Sequence, residues 1–218
     1  MRGSERGVVL CIGDSLTYGY HYKWAEKTTP YCERLGALLD AERERRREEG
    51  SSKQVAPAEL EMHGVCGETT EEILARMKTV LSAHSNVLCV IVLGGTNDIG
   101  TNVKNKLIES NLRSMYELAH KRSIPIVAMT LPYCTSPRAW WPAKRDAAND
   151  TIRSLVSSMA EDGVDITLAE TSHLVEGRTE LLKDDEGTML HDRLHLAPSD
   201  YHEMADILFD PVVAVLMR

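Results

Sequence analysis

A chain of 218 residues with 43% apolar and 27% charged side chains has the make-up of a globular protein and excludes a fibre or a disordered tail. Its formal net charge of −8 argues against nucleic acid as a partner, because phosphate binding needs clustered Lys and Arg. The longest apolar runs, such as Val87–Leu93, are far too short to span a bilayer, and the opening MRGSERGVVLCIGDS lacks the apolar stretch and cleavage site of a secretory leader.

The length suits one domain over residues 1–218, large enough to bury roughly 70% of its unfolded surface without staples. Cysteines at 11, 32, 66, 89 and 134 are odd in number and form no C-x-x-C, so a reducing, cytoplasmic setting is expected. The one basic run, Arg43–Arg47, is interleaved with Glu and reads as a solvated helix face.

In chain order, Gly7–Ile12 is rich in Val, Leu and Ile and predicts a first strand, followed by a helix over Pro30–Glu48. A second strand is expected at Leu60–His63. The helix after it, Glu71–Ala83, carries Ile73, Leu74, Met77, Val80 and Leu81 as one apolar stripe. Then come strand Val87–Leu93, helix Lys104–Arg122, strand Ile124–Met129, helix Ala139–Ala160, strand Val164–Ala169 and a last helix over Ser199–Leu216. Such alternation predicts an α/β fold, a parallel sheet covered by helices on both faces. Ligands of open α/β sheets bind outside the carboxyl ends of the strands, so those ends matter most.

Four polar clusters fall there: Gly13-Asp14-Ser15-Leu16, Gly64-Val65-Cys66-Gly67-Glu68-Thr69, Gly94-Gly95-Thr96-Asn97-Asp98 and Asp192-Arg193-Leu194-His195. Singly, each has an ordinary explanation. Ser15 can cap a helix, Gly64 and Gly67 can make a tight turn, Asn97-Asp98 can cap or turn, and His195 can sit at a helix start. Together they compose a reaction centre. A serine hydroxyl needs a base, and that base needs an orienting group. His195 suits the base, and Asp192 is close enough in sequence to reach its far ring nitrogen. Donors for a developing oxyanion are the Ser15 N–H, the Gly67 N–H and the Asn97 side-chain amide.

These same residues carry a family resemblance. "GDSL", "GVCGETT", "GGTND" and "DRLH" resemble, in order and over nearly the whole chain, the sequence blocks of the GDSL esterases and lipases, or SGNH hydrolases. That superfamily is named for a Ser, Gly, Asn and His that here match Ser15, Gly67, Asn97 and His195. The resemblance implies a flavodoxin-like three-layer α/β/α sandwich with a five-stranded parallel sheet. It also implies hydrolysis of carboxylic esters or thioesters through an acyl-enzyme, without metal or cofactor. The sequence departs from the family pattern at Cys66, where Ser is frequent, and at Asp200, where Gly is frequent.

Rival readings leave traces of their own. His191, Asp192, His195 and His202 crowd together as metal ligands would, but Pro198 suits a helix start and leaves the first three in a loop. No comparable His or Cys cluster is evident elsewhere. The α/β-hydrolase elbow G-x-S-x-G, the dinucleotide fingerprint and the phosphate loop are missing. Alternatives to hydrolysis are acyl transfer by the same chemistry and a non-catalytic flavodoxin-like binding domain. The expected partner is a small-molecule ester of short acyl chain, because Ser15–Tyr22 is short of large aliphatic residues. Asp14 is expected to tie its turn through local hydrogen bonds and, with Tyr18, Trp140 and Trp141, to border the substrate pocket. Tyr20, His21 and Arg138 lie close by in sequence.

Overall fold

The computed structural model describes residues 6–21, 28–134, 138–175 and 194–218. Strand β1 (Gly7–Gly13) runs straight into a single-turn helix, α1 (Ser15–Tyr18), and α2 (Tyr31–Glu48) follows. The chain then alternates through β2 (Ala58–Gly64), α3 (Thr70–Ala83), β3 (Val87–Leu93), the short α4 (Thr96–Gly100), α5 (Asn105–His120), β4 (Ile126–Met129), α6 (Trp141–Glu161), β5 (Ile166–Ala169) and α7 (Pro198–Leu216). The expected strands and long helices all form. Helices α1 and α4 were not anticipated, because elements of four and five residues are too short to show a period.

Two strands start later than their apolar runs. The Ile124 N–H is taken by the Ala119 carbonyl at the end of α5, and Pro125 has no N–H to give, so β4 opens at Ile126. The Val164 N–H likewise closes the end of α6 on the Met159 carbonyl.

All strand pairs are parallel, in the order β2-β1-β3-β4-β5, the doubly wound order of flavodoxin-like sheets. Val9–Ile12 and Cys89–Leu93 are buried throughout, as strands covered on both faces must be. Helix α2 packs on α7, whereas α3 packs on α5 and α5 on α6. Right-handed crossovers place these two groups on opposite faces of the sheet, giving three layers. The Arg43–Arg47 run is spent on ion pairs with acids of α2 and its C-cap Glu49, a largely solvent-facing lattice that contributes little to stability. Among the described residues no helix is long and apolar enough to cross a membrane.

Register prepares the site. Gly13 lies beside Gly64 of β2 and Leu93 of β3, so three strands end level and their loops emerge side by side. A Cβ on Gly64 would meet the Asp14 carbonyl at 2.8 Å, so glycine there lets α1 settle over the end of β2.

Candidate active site

Asp14 joins β1 to α1 and is fully buried. Its Oδ1 accepts from the Leu16 N–H at 2.9 Å, and its carbonyl takes the Thr17 and Tyr18 N–H groups. Asp14, not Ser15, therefore caps α1, which leaves the Ser15 hydroxyl uncommitted by helix capping. That hydroxyl lies 2.9 Å from His195 Nε2 across 180 residues of chain. Ser15 is only 4% exposed, so it faces a cleft rather than open solvent. Burial raises the Asp14 carboxyl from its ordinary range to about 7.

His195 is held from the side of α7. Pro198 opens that helix, as its fixed φ favours, and the Ala197 N–H donates to Asp200 Oδ2 at 3.1 Å. Asp200, one of the two departures from the family pattern, thus has local structural work. The Tyr201 hydroxyl donates to the Tyr20 carbonyl at 2.6 Å, and the Tyr20 ring meets the His195 imidazole edge-on with centroids 4.6 Å apart. The first contact ties α7, and the second the stretch just before it, to the segment after the serine. Asp192, expected to orient His195, lies outside the described residues.

The second and third blocks meet next to this pair. Asn97 Nδ2 donates to the Glu68 carbonyl at 2.9 Å, joining the loop after β2 to α4, which follows β3. Gly67 has φ +86°, and a Cβ there would touch nothing within 4 Å, so conformation rather than space selects glycine. Asp98 is buried, and its oxygens accept from the Thr70 N–H at 2.8 Å and the Thr70 hydroxyl at 2.7 Å. Asn111 Nδ2 donates to the same hydroxyl oxygen at 2.9 Å. Arg76 on α3 donates to the carbonyls of Gly13 and His63, each at 2.9 Å, and forms an ion pair with Glu68 at 2.5 Å. Sequence reasoning missed Arg76, although its place beside the buried stripe of Ile73, Met77 and Leu81 was a signal.

Ser15, Tyr20, Cys66, Gly67, Asn97, Leu194 and His195 line one cleft of about 460 Å³. The structure thus gathers Ser15, Gly67, Asn97 and His195 in one place. The proposed pocket border does not gather with them. Asp14 is sealed beneath the serine, and neither Tyr18 nor Trp140 is among the residues lining the cleft. Trp141 is buried and lines an adjoining hollow with Leu16, Thr96, Leu131, Arg145 and Leu194. Trp140 is 38% exposed, stacks on Trp141 with centroids 6.0 Å apart, and has Arg138 and Lys144 over its ring. His21 Nε2 lies 3.1 Å from the Thr29 hydroxyl.

The metal reading changes as well. His191 lies outside the described residues, His195 faces Ser15, and His202 is exposed on α7. The fold does assemble a cluster that sequence reasoning missed: ligand atoms of Glu61, His63 and His84 lie within 4.8 Å of one another. Helix α3 separates His84 from the other two in sequence, and only its packing against the sheet brings them together.

A doubly wound sheet carrying this serine–histidine pair at its carboxyl edge defines the class: an α/β ester hydrolase. The family model for the GDSL-like Lipase/Acylhydrolase family matches residues 11–201, and the chain belongs to that family, as a carboxylic ester hydrolase. A sequence comparison with curated proteins found no match. Among solved structures, the chain is similar to a catalytic mutant of Axe2, an acetylxylan esterase from Geobacillus stearothermophilus (TM-score 0.71, 16% identity, covering 97% of this chain and 96% of that one). It is also similar to a family 3 carbohydrate esterase from Clostridium thermocellum (0.67, 17%, 98% and 100%) and to AlinE4, an SGNH-hydrolase family esterase (0.58, 24%, 98% and 98%). At these identities the likeness speaks to the fold, which is that of the SGNH hydrolases.

Proposed function

We propose that the chain is one hydrolase domain that cleaves short-chain esters through an acyl-enzyme on Ser15. The observation that carries this reading is the 2.9 Å approach of His195 Nε2 to Ser15 Oγ inside the cleft. As Oγ attacks the ester carbonyl, His195 takes its proton and then delivers it to the departing alcohol. Water enters in the second half, His195 again acting as base, and the acid is released. Asp192 is assigned the orienting of the imidazole through Nδ1. The oxyanion is received by the Gly67 N–H, by the Asn97 amide proton not given to Glu68, and by the Ser15 N–H, which at a helix start has no intrahelical partner. Each such donor is worth about 3 kcal/mol in the transition state.

The acyl group is assigned to the hollow beside the cleft. Its walls Leu16, Thr96 and Leu194 are the immediate neighbours of Ser15, Asn97 and His195, and its volume of about 10 Å³ is far too small for a long acyl chain. One structural neighbour, Axe2, is an acetylxylan esterase, which accords with acetyl release. The exposed Cys66 thiol on the cleft wall favours a reducing, cytoplasmic setting. Hydrolysis of p-nitrophenyl esters from acetyl to palmitoyl tests the assignment. Rates peak at acetyl, and Ser15→Ala lowers kcat at least about a thousandfold because residues of one catalytic unit fail together. Equal turnover by the two proteins refutes the assignment of Ser15, and a rate maximum at long chains refutes the acyl site.

A further inference from the structure

We infer that Glu61, His63 and His84 form a binding site for a zinc-type divalent ion, separate from the Ser15 cleft, that clips the edge strand β2 to the end of α3. Glu61 and His63 are two apart on a strand, so both side chains leave the same face of β2. His84 is the C-cap of α3. Glu61 Oε2 lies 3.0 Å from His63 Nε2 and 3.0 Å from His84 Nε2, and all the candidate ligand atoms fall within 4.8 Å. Tetrahedral zinc with ligands at its usual distances sets neighbouring donor atoms about 3.3 Å apart, so the set is close to the required spacing before any ion arrives.

The hydrogen bonding of His84 sharpens the reading. Its Nδ1 lies 2.8 Å from the Val80 carbonyl, which can only accept, so Nδ1 carries the proton. In the neutral ring Nε2 is then a bare lone pair, directed at a carboxylate oxygen 3.0 Å away. Two acceptors face each other, and a cation between them removes the conflict. Metal-bound histidines typically donate the far ring N–H to a backbone carbonyl in this way. His63 closes the set, its ring edge-on to His84 with centroids 5.9 Å apart. The three side chains are 21–32% exposed, which leaves an approach for the ion and a position for water as the fourth ligand. Two imidazoles and one carboxylate suit zinc and its first-row neighbours rather than magnesium or calcium, which prefer oxygen.

The test is titration of the chelator-treated full chain with zinc alone, followed by calorimetry and thermal melting. The expected result is one saturable ion per chain and a melting temperature higher by about 5 °C or more at a hundredfold excess over Kd. Affinity falls about a hundredfold in His84→Ala and in Glu61→Gln. It stays unchanged in His195→Ala and Cys66→Ala, which report on the cleft. Metal-free melting curves verify that each variant is folded, and His63→Asn supplies an independent third ligand change. No saturable zinc binding overturns the proposal. Binding that survives in His84→Ala and Glu61→Gln, or vanishes in His195→Ala, overturns it equally.

Discussion

The guanidinium of Arg76 reaches from the middle of α3 to the carbonyl oxygen of Gly13, two residues ahead of the serine, at 2.9 Å. It also serves the His63 carbonyl and the Glu68 carboxylate. One side chain thus satisfies backbone acceptors at the ends of β1 and β2 and holds the loop that bears Gly67. Glu68 in turn accepts from Asn97, so the tie extends to the third block.

Arg76 is therefore placed as a positioning residue for the proposed oxyanion donors. Arg76→Ala lowers kcat about tenfold with KM changed less than about twofold, because small displacements of catalytic groups are costly. Arg76→Lys recovers part of the loss. Steady-state kinetics well below the melting temperature check this, since a purely structural role changes stability and leaves kcat alone.

Asp98 is next to a proposed catalytic residue but faces the interior. Asp98→Ala orphans a buried N–H and a buried hydroxyl at Thr70 and destabilises the protein by about 3 kcal/mol. Urea unfolding measures it, and a loss below about 1 kcal/mol shows that the pair is not the brace described.

Asp14 makes stability depend on pH in the direction unusual for a carboxylate. Burial raises its folded value from the ordinary 3.8 to about 7, so between those values the native state holds a proton that the unfolded chain has released. Its stabilising contribution is complete below about pH 4 and is lost as pH rises through about 7, by at most on the order of 4 kcal/mol. Asp14→Asn keeps an oxygen for the Leu16 N–H and lacks the titration. Urea midpoints at pH 4.5, 6 and 8 should show wild type losing ground to Asp14→Asn as pH rises, whereas parallel curves contradict the assignment.

Two glycines separate conformation from space. At Gly67 an added Cβ meets no atom, and only the left-handed backbone, φ +86°, resists it, at about 1–2 kcal/mol. Gly67→Ala should melt within a few degrees of wild type and lose about tenfold or more in kcat. At Gly64 the Cβ collides with backbone of α1, so Gly64→Ala should fall much further in melting temperature. Matching thermal losses in the two variants would contradict this division.

The sequence by itself determined the strand–helix alternation, the sheet edge on which Ser15, Gly67, Asn97 and His195 lie, and the start of α7 at Pro198. Those are local matters: apolar period, β-branched runs and proline stereochemistry act over a few residues and leave their mark there. Tertiary structure alone decided what each polar group touches. Asp14 turned inward as a cap, Asp98 turned to Thr70, Trp141 went to an adjoining hollow, and Arg76 left a helix face to serve strand ends. The cluster of Glu61, His63 and His84 exists only because α3 returns its last turn to β2. A side chain's partner is set by packing and by the cost of burying an unpaired polar group, and both depend on segments far apart in the chain.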